Sequence, residues 1–189
     1  RTKILNGLLA SELAPNIGLS GTGQDVSFMR STLIQTGILV DVESNPTIVL
    51  ETPDARIADM LSVIKTFFSI SAAKTGGANF GDLYDLLTLP ENGFGLKLGV
   101  IPIYLAVVLH SYKKNLVVQY LGTEVKLTSD LLNNINESPK NYNVILEDWN
   151  EEKAQYMESL EALFADHIKD HEKSYNTFTY LMQAMNYWY

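Results

Sequence analysis

The sequence predicts an α+β fold that is mainly α: a helical domain with small β-hairpins and a winged-helix-like helix–hairpin–helix–strand centre. Three observations carry that expectation. Apolar residues recur at helical spacing through most of the chain. Two pairs of short β-rich runs flank turn-forming residues. Val100 to Leu109 is an apolar run of ten residues with almost no polar interruption, too short to cross about 30 Å of hydrocarbon and therefore a buried hub.

Taken in order, Ile4, Leu5, Leu8, Leu9 and Leu13 predict a first helix closed by Pro15. The stretch Gly18-Leu-Ser-Gly-Thr-Gly-Gln-Asp25 could suggest a phosphate-cradling loop. Such loops follow a strand and, in the P-loop case, end in Lys-Ser/Thr, and neither feature is present. It reads instead as a connector with a helix start at Thr22 or Asp25. Val26, Phe28, Met29, Leu33 and Ile34 continue as a helix that Gly37 closes. Ile38–Val42 and Thr47–Leu50, separated by Glu43-Ser44-Asn45-Pro46, predict a hairpin. Pro53 opens a helix striped by Ile57, Met60, Leu61, Ile64, Phe67 and Phe68, which ends before Gly76-Gly77. Asn79 caps the next helix, which Pro90 ends.

The hub helix is expected from about Val100 to Lys114, with Pro102 tolerated in its first turn. Leu116–Tyr120 and Glu124–Leu127 predict a hairpin turning at Gly122-Thr123. Thr128 or Ser129 caps a helix that ends before Pro139, and Tyr142–Leu146 is a last strand. A long helix starts at Asp148 or Asn150, with Tyr156, Met157, Leu160, Leu163, Phe164 and Ile168 on one face opposite Glu151, Glu152, Glu158 and Glu161. A final helix carries Phe178, Leu181, Met182, Met185 and Trp188 on one side, a face that needs a partner. Three regions follow: 1–93, helical with one hairpin; 94–147, the helix–hairpin–helix–strand centre; and 148–189, a helical pair. All three are compatible with one domain.

The 189 residues suffice for a substantial core without staples, and 46% hydrophobic with 19% charged residues excludes a disordered chain. With no cysteine, disulfides and thiolate metal sites are excluded and a reducing cytoplasm is the expected location. The net charge of −8 opposes broad attraction to nucleic acid or anionic membrane. Residues 94–147 carry 5 basic and 4 acidic side chains and alone escape the acidity; residues 148–189 carry 3 and 8. A start at Arg1 and an aromatic end, Tyr187-Trp188-Tyr189, suggest a piece of a longer protein.

Three sites invite chemistry. His110 closes the hub, where capping helix carbonyls is a better use than catalysis, and no GxSxG elbow accompanies any serine. His167 and His171, spaced i, i+4 in ADHIKDH, would share a helix face with Asp166 or Asp170 nearby, the geometry of two metal ligands. They lack the His-Glu-x-x-His signature and a marked third ligand, so a solvated helix end is the expected reading and a metal-dependent enzyme the remote one. Lys113, Lys114, Asn115 and Lys126 surround the central hairpin as a basic wing would, which makes them candidate nucleic-acid contacts. Lysines guarding a sheet edge explain them better, because four polar groups are a thin electrostatic footprint for a nucleic-acid face. No catalytic, cofactor-binding or metal-ligating residue is assigned.

Residues 18–39, GLSGTGQDVSFMRSTLIQTGIL, and 89–109, LPENGFGLKLGVIPIYLAVVL, resemble stretches of a loosely defined group of large bacterial P-loop ATPase-type proteins, many associated with phage defence or restriction islands. The hairpin and the Leu127-Thr128-Ser129-Asp130-Leu131 helix start extend the similarity. It covers about two-thirds of the chain, and its motifs are structural. The group's GxxxxGK[ST] loop is absent, so the resemblance implies a non-catalytic helical region and transfers no functional residue. The expected function is a non-enzymatic interaction or coupling module of a larger ATPase-type protein. Its expected partners are neighbouring domains or subunits, nucleic acid is the alternative, and no membrane is involved.

Overall fold

The computed structural model describes residues 1–147, 149–174 and 176–189. Eight α-helices occur among the described residues: α1 (Thr2–Leu9), α2 (Gln24–Met29), α3 (Ala55–Thr66), α4 (Phe80–Thr88), α5 (Ile101–Tyr112), α6 (Ser129–Glu137), α7 (Glu151–Leu163) and α8 (Thr177–Trp188). The strands are β1 (Leu39–Val40), β2 (Thr47–Ile48), β3 (Ala78–Asn79), β4 (Leu116–Tyr120), β5 (Thr123–Val125) and β6 (Tyr142–Leu146). They make a two-stranded antiparallel hairpin, β1–β2, and an antiparallel sheet of order β3-β6-β4-β5. The fold is therefore α+β and mainly helical.

Its centre is α5. Every residue from Ile101 to Leu109 is buried, so the helix has no polar face and is enclosed by α1, α3 and α6. Pro102 sits in the first turn, where its missing amide hydrogen removes no intrahelical bond. The core built on this helix is continuous in space from Ile4 to Val144. It includes Phe67, Phe68 and Phe80, whose ring centroids lie 5.3 to 6.1 Å apart. One sheet face feeds it through Leu116 and Val118 of β4 and Val144 of β6, with Val118 opposite Val144.

Local chemistry explains the boundaries. Asp54, Asn79, Thr128 and Asn150 accept backbone N–H bonds at the starts of α3, α4, α6 and α7. Asp148, the other expected cap of α7, lies outside the described residues. At the second helix the cap is Gly23, which makes no side-chain bond, rather than Thr22 or Asp25. The central hairpin turns at Leu121 and Gly122, both at positive φ, one residue earlier than expected.

Three further expectations about the elements fail. The first helix ends at Leu9, well before Pro15, because residues from α5 cap it there, as described below. The helix after Asn150 ends at Leu163; residues 165–167 and 170–174 form separate 3-10 turns. Strand β3 was not expected, since Ala78-Asn79 has no β-rich pattern. It pairs with β6 because Gly77 adopts φ +73° where a Cβ would collide with the Val144 carbonyl, an approach open only to glycine.

A second, smaller core holds the C-terminal pair: Met157, Tyr180 and Leu181, with Trp149, Leu160, Ile168 and Phe178 against them. Ring contacts join the two helices near their starts, Trp149 to Phe178, and at their ends, Phe164 to Trp188.

A buried hub and an exposed helix face predict different responses to an introduced aspartate. Val107→Asp places a carboxylate at a fully buried position and should destabilise by about 4 kcal/mol or more, abolishing a cooperative thermal transition. Leu163→Asp, at a position 72% exposed, should stay within about 0.5 kcal/mol of the parent. Similar melting curves for the two variants would refute the assignment of α5 as the hub.

Candidate functional site

Of the basic residues beside the hairpin, Lys113 and Lys114 occupy a junction. Lys113 follows α5 directly and is 2% exposed. Its Nζ donates to the carbonyls of Leu9, at 3.4 Å, and Ala10. These are the free carbonyls at the end of α1, where a cation meets the negative pole of the helix. His110, one turn earlier on α5, places Nδ1 2.8 Å from the Leu8 carbonyl. Since a carbonyl only accepts, Nδ1 carries the proton there. The Nζ of Lys113 lies 3.3 Å from that same nitrogen. Two donors facing each other disfavour a further positive charge, so burial and this lysine together hold the imidazole pKa below its usual value. Burial pushes Lys113 down to about 8, with Lys114 adding to the shift.

The next residues tie down the C-terminal pair. The Lys114 carbonyl accepts from the Thr177 amide at 3.0 Å, and the Leu116 carbonyl from Asn176 Nδ2 at 3.2 Å. Both bonds fix the start of α8. The Asn115 carbonyl accepts from the Glu147 amide at 2.9 Å, holding the exit of β6. So Lys113 to Leu116 joins α1, α5, β4, β6 and α8.

The four candidate nucleic-acid contacts do not form one surface. Lys113 is spent inside the fold and offers no charge to a phosphate, which corrects its expected placement on a basic wing. Asn115 is half-buried in the junction, whereas Lys114 and Lys126 are exposed. Lys114 borders a cleft of about 490 Å³ with Ser11, Glu12, Glu161, Asp170, Lys173 and Tyr180. Within it Tyr180 donates its hydroxyl to Glu161 Oε2 at 3.1 Å, and Lys173 lies 3.9 Å from Glu161 Oε1. Burial raises the Tyr180 phenol to about 12, which keeps it protonated as that donor.

The proposed two-histidine arrangement is lost with the helix that would have carried it. His167 lies in the first 3-10 turn and His171 in the second, so the i, i+4 spacing no longer means a shared helix face. The side chain of His171 lies outside the described residues. Among the described residues no three His, Asp or Glu side chains gather as a metal ion would require. The glycine-rich stretch is a connector that leads directly into α2 at Gln24, and the preceding turn, with Asn16 and Ile17 at positive φ, packs so closely on α1 that a Cβ at Gly7 would strike the Ile17 carbonyl.

The feature that stands out is the outer surface of the C-terminal pair. Met182, Met185 and Trp188 of α8 are 63%, 45% and 67% exposed, although sequence spacing placed them together on an apolar face. The buried face of α8 is instead Thr177, Tyr180, Leu181 and Ala184. On α7, Tyr156 and Leu163 were expected inside with Met157 and Phe164, yet both lie outside. Their position seven residues apart gave them a helix stripe of their own, which was the available signal.

No protein-family model, curated protein or solved structure matches the chain.

The buried lysine makes stability depend on pH. Its pKa is lower folded, about 8, than unfolded, about 10.4. The unfolded chain therefore binds more protons between those values, and stability rises with pH across that window and is lost as pH falls through about 8. Lys113→Met should flatten the rise. Chemical denaturation of parent and variant from pH 8 to 10, taken as a difference so that tyrosine ionisation cancels, measures it. Parallel pH profiles would show that Lys113 is not buried as a titrating group.

Proposed function

We propose that the chain is a non-enzymatic interaction and coupling module of a larger, ATPase-type bacterial protein acting in the cytoplasm, and that its partners are neighbouring domains or subunits. One observation carries the reading: the C-terminal pair presents Tyr156, Leu163, Met182, Met185 and Trp188 to solvent while its own inner core is already filled. Large exposed apolar side chains gathered on one structural unit mark contact surfaces. Methionine suits such surfaces, because its unbranched chain adapts to the shape it meets. The junction at Lys113–Leu116 supports the coupling element, since a load on α8 reaches α5 and α1 through hydrogen bonds rather than through a linker.

A winged-helix-like nucleic-acid module ranks second. In its favour, the β4–β5 hairpin pairs with β6 and is followed by α6, and Lys114 and Lys126 are exposed. Against it, the buried Lys113 reduces an already thin basic footprint.

The test is sedimentation velocity of the chain mixed with the remaining domains of the protein that carries it. Co-sedimentation is expected with the parent chain and not with Met182→Ser/Met185→Ser, whose melting temperature should move by no more than about 2 °C because both sites are exposed. Absence of a complex, or a complex indifferent to the double substitution, would overturn the proposal.

A further inference from the structure

We infer that the outer face of the C-terminal pair takes a cationic amphipathic helix; this rests on the interaction-module reading and names its partner. The α7 side of the apolar strip carries negative charge. On α7, Tyr156 stands one turn after the exposed Glu152, and the exposed Asp166 lies three residues beyond Leu163. Glu151 and Glu158 are exposed on the same helix. None of these carboxylates makes an ion pair among the described residues.

The segment's own cations are all occupied elsewhere. Lys153 lies 3.9 Å from Glu147 and 5.0 Å above the Phe178 ring. Lys169 sits 4.4 Å above the Tyr187 ring, and Lys173 is 3.9 Å from Glu161. The face is therefore an apolar strip with uncompensated acidic residues along its α7 side. Its complement is a helix with leucine-like residues on one side and lysine or arginine flanking them, which docks by its apolar stripe and pairs with those acids. A second copy of this chain fits poorly, because an isologous contact would bring the same acidic patch from both copies into one interface with no cation to pair with it.

At the end of the pair, Trp188 meets Phe164 edge-on at 6.0 Å and remains 67% exposed. It sits where an entering side chain would change its surroundings, so emission reports on this face once Trp149→Phe removes the second tryptophan.

The probes are two synthetic helices of about 18 residues, five turns, one of leucine and lysine and the other with glutamate for every lysine. Titrated into the full chain at fixed salt, the lysine peptide should bind and shift the tryptophan emission, with the glutamate peptide at least about tenfold weaker. Glu152→Gln/Asp166→Asn should weaken the lysine peptide about tenfold, while Asp82→Asn/Asp85→Asn, exposed on α4, should leave it unchanged. Met182→Ser/Met185→Ser should remove binding.

Equal affinity for both peptides, equal loss from the α4 substitutions, no binding at all, or a dimer of the free chain broken by the methionine substitutions would each overturn the inference. If the peptides fail while the methionine substitutions still break the complex with the neighbouring domains, the module reading stands and only the partner's chemistry is wrong.

Discussion

The structure depends on one constraint: α5 has nowhere to show a polar face. A helix that is apolar all round must be wrapped, and α1, α3 and α6 wrap it. Each of those helices has its own apolar stripe, and α5 supplies the surface against which those stripes are removed from water, at roughly 25 cal/mol per Å². The four-stranded sheet closes the remaining side through Leu116, Val118 and Val144. Residues from both ends of the 4–146 stretch thus share one core, and distant segments are held by a common neighbour rather than by many private contacts.

The end of that helix then does a second job. α5 closes with His110 and Lys113, which reach across to the last carbonyls of α1. A buried ammonium is expensive unless its donors are satisfied, and here the helix terminus satisfies them. The same turn passes straight into β4, whose first residues hold the start of α8. Four residues therefore connect the main core to the satellite core. The satellite pair keeps only a small interior, and its outer surface is left apolar, with acidic residues along its α7 side.

The elements that could be read from the sequence are those specified by near neighbours. The Asn79 and Thr128 caps, the closing Gly37, the buried run at 100–109 and the two hairpins all follow from residues within a turn of each other. The misses involve distant partners. α1 stops at Leu9 because a lysine over one hundred residues away caps it. β3 exists only because β6 is there to pair with it. α7 stops at Leu163 without any glycine or proline; beyond it, Trp188 packs on Phe164, and Tyr187 covers Lys169 and bonds Glu172. Lys113 looked like a wing residue because sequence shows its charge and not the direction in which its side chain leaves the helix. The apolar face of α8 was legible as lacking a partner, whereas the exposure of Tyr156 and Leu163 depended on where α8 lies.

On this architecture α5 is the last element to open, and the C-terminal pair opens without it. Native-state hydrogen exchange under increasing denaturant tests this residue by residue. The amides of Ile103 to Leu109 should fall in the slowest class and exchange only by global unfolding, with those of α7 and α8 exchanging through a lower-energy opening. Exchange of α7 and α8 as slow as that of α5, or a faster class for α5, would mean that α5 is not the hub of the fold.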